Sequence, residues 1–251
     1  MKNILILTAT ITPRPDVFLL SRKDPAERLD DYLAALQLYL GMLADGTVDG
    51  IVFAENSASE LGALRSAVPA ALSEFVEFIS FYGLDYPQEY ARVYGEFKLL
   101  DKAMAESRLV TANPAAAFWK ITGRYRVTNL RRIIRSRPEN FDFYCNCRNY
   151  PVRLVDQYLQ AWTAEFYRQY LVGIFECFKE SEIGAYGEIV MRGLLDSWVS
   201  KGARIVPRFR VTPAIEGRRG FDNADYGAGA KMKLKLLVRR ICNRLLPLFW
   251  I

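Results

Sequence analysis

Apolar residues along the chain fall alternately into short unbroken runs and into a spacing of three or four. Ile4-Leu5-Ile6-Leu7 is an unbroken run, followed by a loop rich in threonine and proline, Thr8 to Pro15. It predicts a buried strand over residues 3–9. Pro25 suits a first helical turn, and Leu29, Leu33, Leu36, Leu40 and Leu43 then mark one helical face until Asp45-Gly46. A second strand is predicted over 49–54, with Glu55-Asn56 at its carboxyl end. Ser57-Ala58-Ser59-Glu60 spells a capping box and predicts a helix starting there.

Residues 75–81 read as a third strand. A loop through Gly83, Pro87 and Gly95 then leads to a helix over 96–107. Phe118 to Thr122 reads as a fourth strand, stopped by Gly123-Arg124-Tyr125. Thr128 is placed to cap a short basic helix over 129–137, and 141–145 reads as a fifth strand. Residues 154–180 read as mostly helical, with a strand near Tyr158–Trp162 as the competing reading. A helix over 188–200 and a strand over 205–211 follow. The alternation through residue 145 predicts an α/β fold: a mostly parallel central sheet flanked by helices, with ligands at the carboxyl ends of the strands. Those ends are Thr8–Thr12, Glu55-Asn56-Ser57, Tyr82-Gly83 and Gly123-Arg124-Tyr125.

Composition narrows the chemistry. The 251 residues are 51% hydrophobic and 25% charged, ordinary for a globular domain, and none is histidine. Histidine-based triads, general bases and metal sites are therefore excluded, and proton transfer falls to Asp, Glu, Tyr, Lys or Cys. Of the four cysteines only Cys145 and Cys147 are close, without the two-residue gap and second pair of a zinc site, which predicts reduced structural thiols. No Walker loop or GxGxxG follows the first strand, which argues against a simple kinase or NAD enzyme. The N-terminal run is too short for a signal peptide, and no stretch of about 18 apolar residues occurs, so a cytoplasmic protein without a spanning helix is expected.

Three regions carry chemistry. Thr8, Thr10 and Thr12 can bond a base or ribose, or else satisfy their own loop backbone; the residues do not choose between these. In Lys120 to Asn129, a strand delivers Gly123, where backbone can approach a ligand, and then Arg124 and Arg126 around Tyr125, forks suited to a diphosphate or carboxylate. The competing reading is a strand end whose charges face water. Gly217-Arg218-Arg219-Gly220 is either a lid over phosphates or a linker.

The Lys-Ile-Thr-Gly-Arg-Tyr segment at 120–125 resembles one in small bacterial glycosyltransferases of O-antigen and capsule gene clusters. Phe-Ala-Glu-Asn-Ser at 53–57, Tyr-Gly-Glu at 94–96 and Ile-Glu-Gly at 215–217 fit the same pattern. The resemblance spans about residues 3–225 and implies a GT-A-like, Rossmann-like nucleotide-sugar fold. It also implies that Glu55, Asn56, Lys120, Gly123 and Arg124 surround the donor. Such enzymes carry Asp-x-Asp to hold a divalent metal, and no Asp-x-Asp occurs here. Metal use is thus in doubt, no metal ligand is assigned and no cofactor is called. Lys120, Arg124 and Arg126 are the cations able to take over at the diphosphate. Transfer with inversion needs a carboxylate base; Glu55, Glu188, Asp142 and Glu182 are the candidates, with Glu55 preferred for its place after an apolar strand. With retention, a carboxylate would stabilise oxocarbenium character instead. For any of them a solvated surface charge is the competing reading, and Glu188 also suits a helix start for its own sake.

Charge is distributed unevenly. The net +6 resolves into twelve basic and three acidic residues from Lys201 onward, a balance of +9, and −3 for the first 200 residues. Leu234, Leu237, Val238, Ile241 and Leu245 share one helical face among Lys233, Lys235, Arg239, Arg240 and Arg244, before a terminus containing Trp250. A basic amphipathic helix of this kind is suited to an anionic membrane surface, the competing reading being a helix docked on the core.

The expectation is therefore three parts: a transferase domain over 1–216, a glycine-rich loop over 217–230 and a membrane-associating tail over 231–251. The protein would take a nucleotide sugar and a lipid-linked glycan acceptor, peripheral on the inner face of the cell membrane. The alternative is a non-catalytic membrane-associated scaffold with a degenerate nucleotide-sugar fold. Nucleic-acid binding by the tail is disfavoured by its apolar face.

Overall fold

In a computed structural model, residues 1–16, 20–218, 234, 237–239, 241, 242, 245 and 246 are described. β1 (Asn3–Ala9) lies at the heart of a seven-stranded sheet, and all seven of its residues are buried. It pairs in parallel with β2 (Gly50–Glu55) on one side and β4 (Ala117–Thr122) on the other; β3 (Val76–Ser80) continues the parallel run beyond β2. The crossovers are helical. α1 (Pro25–Ala44) joins β1 to β2, α2 (Gly62–Ser66) precedes β3, and α3 (Ala91–Glu106) with α4 (Arg108–Thr111) returns to β4.

The chain then runs through β5 (Arg126–Val127), α5 (Leu130–Arg135), β6 (Phe143–Tyr144), and a small hairpin of β7 (Cys147–Arg148) and β8 (Leu154–Val155). β9 (Leu159–Thr163), α6 (Ala164–Phe166), α7 (Glu180–Ile183), α8 (Gly187–Ser200), β10 (Ile205–Val206) and β11 (Ile215–Glu216) follow. The sheet order is β10-β6-β9-β4-β1-β2-β3, and only β9 runs against its neighbours β4 and β6. The fold is thus α/β with a largely parallel sheet, as the alternation predicts.

Alternate residues of the central strands feed two cores. Leu5, Leu7, Phe53, Trp119 and Ile121 pack under α1; Ile4, Ile6, Val52, Phe118 and Trp162 pack under α3 and α8. Burying each large apolar side chain contributes about 1.5–3 kcal/mol. Asp24 starts α1, its carboxylate accepting from Ala26 N at 2.8 Å and Glu27 N at 3.0 Å, a cap worth about 1 kcal/mol. Gly46, at φ +72°, lets the chain turn away after it.

Several expectations need correction. The capping box at 57–60 does not form: Ser57 and Ser59 turn back to Glu55, and α2 begins only at Gly62. The third helix starts at Ala91, so Gly95 lies inside it, where a Cβ would run into the Tyr86 ring. Thr128 bonds the Ala214 carbonyl at 3.3 Å and caps nothing. The region read as mostly helical holds β8 and the internal strand β9. The last strand shrinks to Ile205–Val206. Arg219, most of the 217–230 loop and most of the tail lie outside the described residues. Among those described, no helix is long and apolar enough to cross a membrane.

Candidate functional site

The carboxyl ends of β1, β2 and β4 meet along one edge, and their polar residues are knitted together. Glu55, fully buried, ends β2. Its Oε1 accepts from Ile11 N at 3.1 Å, from Ser57 N at 2.9 Å and from the Ser57 hydroxyl. Its Oε2 accepts from Ser59 N at 3.1 Å and Ser80 Oγ at 3.4 Å. One carboxylate thus ties the loops after β1 and β2 to the end of β3. With both oxygens bonded and no exposed surface, Glu55 anchors this edge, and the expectation that it serves as a base is set aside.

The threonine loop is equally well held. Thr10 N donates to Tyr32 Oη at 2.9 Å, and Thr10 Oγ1 is 2.6 Å from Asn56 Oδ1. Arg28 Nε donates to the Thr10 carbonyl at 2.7 Å. Thr12 N reaches Ser57 Oγ at 3.0 Å. These bonds hold the loop after β1 against α1 and the end of β2.

Lys120 points from β4 to the α3 face and is fully buried. Its Nζ lies 2.7 Å from Glu96 Oε1 and also donates to the Gln157 carbonyl. Burial pushes its pKa down, while Glu96 and, less strongly, Glu188 push it back up. Lys120 is therefore committed to the interior and presents no surface to a diphosphate.

Glu96, one turn into α3, is the centre of the cluster. Thr8 Oγ1 donates to its Oε1 at 2.7 Å and Thr122 Oγ1 at 3.1 Å, in addition to Lys120. All three donors go to the same oxygen, and the side chain keeps 18% of its exposure. Glu96 is not among the residues that sequence alone singles out, although Tyr94-Gly95-Glu96 is one of the segments carrying the resemblance. What makes it visible is the pairing of β1 with β4, Thr8 against Thr122, which sets two hydroxyls side by side beneath it.

Gly123 closes the same corner. Its N–H donates to the Thr8 carbonyl at 2.8 Å, and a Cβ would lie 2.8 Å from that oxygen and 3.4 Å from the Tyr32 ring. Arg124 is nearly buried, with its guanidinium 4.8 Å over the Tyr125 ring. It donates to Tyr125 Oη at 3.1 Å and to the Arg218 carbonyl at 3.0 Å. The start of the glycine-rich loop is thereby pinned to the end of β4, with Arg218 itself exposed. Arg126 is instead on the β5–β11 ribbon, ion-paired with Glu216 at 3.3 Å.

Glu188 lies in the first turn of α8, close enough to act electrostatically on Lys120. The Asp142 expectation is corrected. Asp142 precedes β6, at the opposite end of the sheet, where it pairs with Arg204 at 2.7 Å. Cys145 and Cys147 are buried free thiols 3.7 Å apart, and burial pushes the Cys145 thiol up. Among the described residues no three His, Cys, Asp or Glu side chains converge to hold a metal ion.

No protein-family model matches the chain, and no curated protein matches it. Among solved structures it is similar to a protein from Desulfovibrio desulfuricans G20 named as a candidate nucleotide-diphospho-sugar transferase, at 11% identity over 100% of both chains with a TM-score of 0.45. It is also similar to the CTP:phosphocholine cytidylyltransferase LicC from Streptococcus pneumoniae, at 11% identity over 94% of this chain and 96% of that one, with a TM-score of 0.37. At these scores neither likeness assigns a function, and the reading below rests on the edge of the sheet.

Proposed function

We propose that the chain is a glycosyltransferase with a GT-A-like fold, moving a sugar from a nucleotide donor to a lipid-linked glycan in bacterial surface-polysaccharide synthesis. One observation carries the reading. The segments 53–57, 94–96 and 120–125, which carry the resemblance and are far apart in sequence, converge on a single sheet edge through the Thr10–Asn56, Thr8–Glu96 and Lys120–Glu96 contacts. Ligands of parallel sheets bind at that edge. The donor lies along Thr8, Thr10, Asn56 and Gly123, and the guanidinium groups of Arg124 and Arg218 face the diphosphate, with Tyr125 backing Arg124. Arg219 follows directly in sequence. Of the four carboxylates expected from sequence, Glu55 lies in this edge with both oxygens already bonded, and Glu188 acts on Lys120 behind it.

The tail supplies the membrane contact. Its described apolar positions are uncovered, Leu234 at 61% and Leu245 at 68% exposure, with Leu237, Val238 and Ile241 also exposed. An exposed apolar face in the most basic part of the chain suits an anionic lipid surface.

The test is a panel of UDP, GDP, dTDP and CMP sugars, read by thermal shift and donor hydrolysis, with EDTA and with Mg²⁺ or Mn²⁺. One nucleotide class is expected to stabilise the protein and turn over in EDTA. If none shifts or is hydrolysed, with membranes supplied, the transferase reading falls and the scaffold reading replaces it. Flotation with phosphatidylglycerol vesicles is expected for the wild type and lost in Leu237→Glu/Ile241→Glu. Equal flotation of the two refutes the lipid contact.

A further inference from the structure

We infer that Glu96 is the catalytic base of this site and that Tyr186 and Glu188 beside it receive the acceptor sugar. The inference rests on the transferase reading and adds the side of the site that the sequence leaves blank. Three donors from two strands fix Glu96 Oε1, and among the described residues none bonds Oε2. A carboxylate anchored through one oxygen, with the other free and part of its surface exposed, is an acceptor already oriented for an incoming hydroxyl. Glu55, fully bonded and fully buried, offers nothing of the kind.

The acceptor side follows from the packing of α8 on α3. A Cβ on Gly187 would lie 2.7 Å from Val93 Cβ, so the Val93 side chain of α3 packs directly on the backbone at the start of α8. Val93 is one turn before Glu96 on α3. The contact therefore brings Tyr186-Gly187-Glu188 to the turn that carries Glu96, in agreement with the action of Glu188 on Lys120. Glu180 reinforces the corner by accepting from Gly187 N at 2.8 Å. Tyr186, the residue before Gly187, is 65% exposed. Its face can stack on the apolar face of a pyranose while the two carboxylates take its hydroxyls.

The step balances as follows. The acceptor hydroxyl gives its proton to Glu96 Oε2 while its oxygen forms a bond to the anomeric carbon of the donor. The bond from that carbon to the diphosphate oxygen breaks, and its electron pair leaves with the nucleoside diphosphate. Glu96 then returns the proton to water. The product is inverted at the anomeric carbon.

The experiment uses the full chain with the nucleotide sugar that wild type hydrolyses fastest among UDP-glucose, UDP-galactose, GDP-mannose and dTDP-rhamnose, and with p-nitrophenyl glycosides as acceptors. Glu96→Gln is expected to lose at least about a hundredfold in turnover while the nucleoside diphosphate still shifts its melting temperature. Because this variant strands Lys120, Lys120→Met/Glu96→Gln is measured beside it; it removes the cation with its partner and is expected to stay inactive. Tyr186→Ala, at an exposed position, is expected to lower transfer to the glycosides at least tenfold. Turnover within threefold of wild type in a folded Glu96 variant, or unchanged transfer in Tyr186→Ala, overturns the inference while leaving the transferase reading standing. A wild type that neither binds nucleotide nor hydrolyses any donor overturns both.

Discussion

Glu96→Gln changes one atom of a carboxylate but leaves a fully buried ammonium without its counter-charge. The amide oxygen can still accept from Thr8 and Thr122, so the loss isolates the Lys120–Glu96 pair at 2.7 Å. Removing one partner of a buried pair costs about 3–5 kcal/mol. Glu96 keeps 18% exposure, which brings the expected loss to about 2–3 kcal/mol. At about 2–4 °C per kcal/mol for a chain of this size, the melting temperature falls by about 5–10 °C.

The pH dependence gives the sharper test. Burial already holds Lys120 below its ordinary 10.5, and Glu96 is the main group opposing that shift. The unfolded chain therefore holds the proton more tightly, and stability rises with pH between the depressed folded value and 10.5. Without Glu96 the folded value drops further, so the variant starts to recover at lower pH and recovers more. Urea unfolding of both proteins from pH 6 to 9.5 should show the gap narrowing as pH rises. A gap below about 0.5 kcal/mol at pH 6, or one that stays constant, refutes the assignment of a buried charged pair.

Further measurements address neighbouring residues. Gly123→Ala pushes a methyl to 2.8 Å from the Thr8 carbonyl oxygen, and calorimetry should record a loss of about 1–3 kcal/mol together with a weaker nucleotide shift. Glu55→Gln puts an amide NH₂ among backbone N–H donors and is expected to cost about 2–4 kcal/mol in denaturant titrations; an unchanged midpoint would mean that the edge is not held by this carboxylate. Asp142→Asn is expected to leave donor hydrolysis within twofold of wild type. Burial raises the Asp142 pKa, but the Arg204 guanidinium and backbone N–H hold it below 3.8, so its small contribution is present above that pH and lost as pH falls through the folded value. The wild-type advantage over Asp142→Asn should accordingly vanish in acid.

The first half of the fold was legible because its strands are buried on both faces. Runs such as Ile4–Leu7 and Ile51–Ala54 have no competing period, and Asp45-Gly46 marks where α1 stops. The capping box misled because a signature of four residues does not include Glu55, whose carboxyl group outcompetes the nascent helix for both serines. β9 was obscured by its own residues. Gln160 lies opposite Lys120, a polar pair in a strand interior that breaks the apolar run, and its reversed direction has no local marker. Resemblance located the segments, but which carboxylate is anchored and which keeps a free oxygen depends on the β1–β4 register, a contact between residues more than a hundred positions apart.

The reversed strand β9 has a consequence for how this protein can diversify. β6 ends at the same edge as β4, and the chain makes the β7–β8 hairpin there before turning back as β9. That hairpin is braced by Asp156, which binds Asn146 at 2.7 Å and pairs with Arg148, so it carries its own fastening. One flank of this edge is therefore written by the second half of the chain, through a hairpin that also leans on α8 by Arg192–Arg148 and Arg153–Asp196, while the four parallel strands write the other. Substitutions at the hairpin turn can reshape that flank without disturbing the register of β1 and β4.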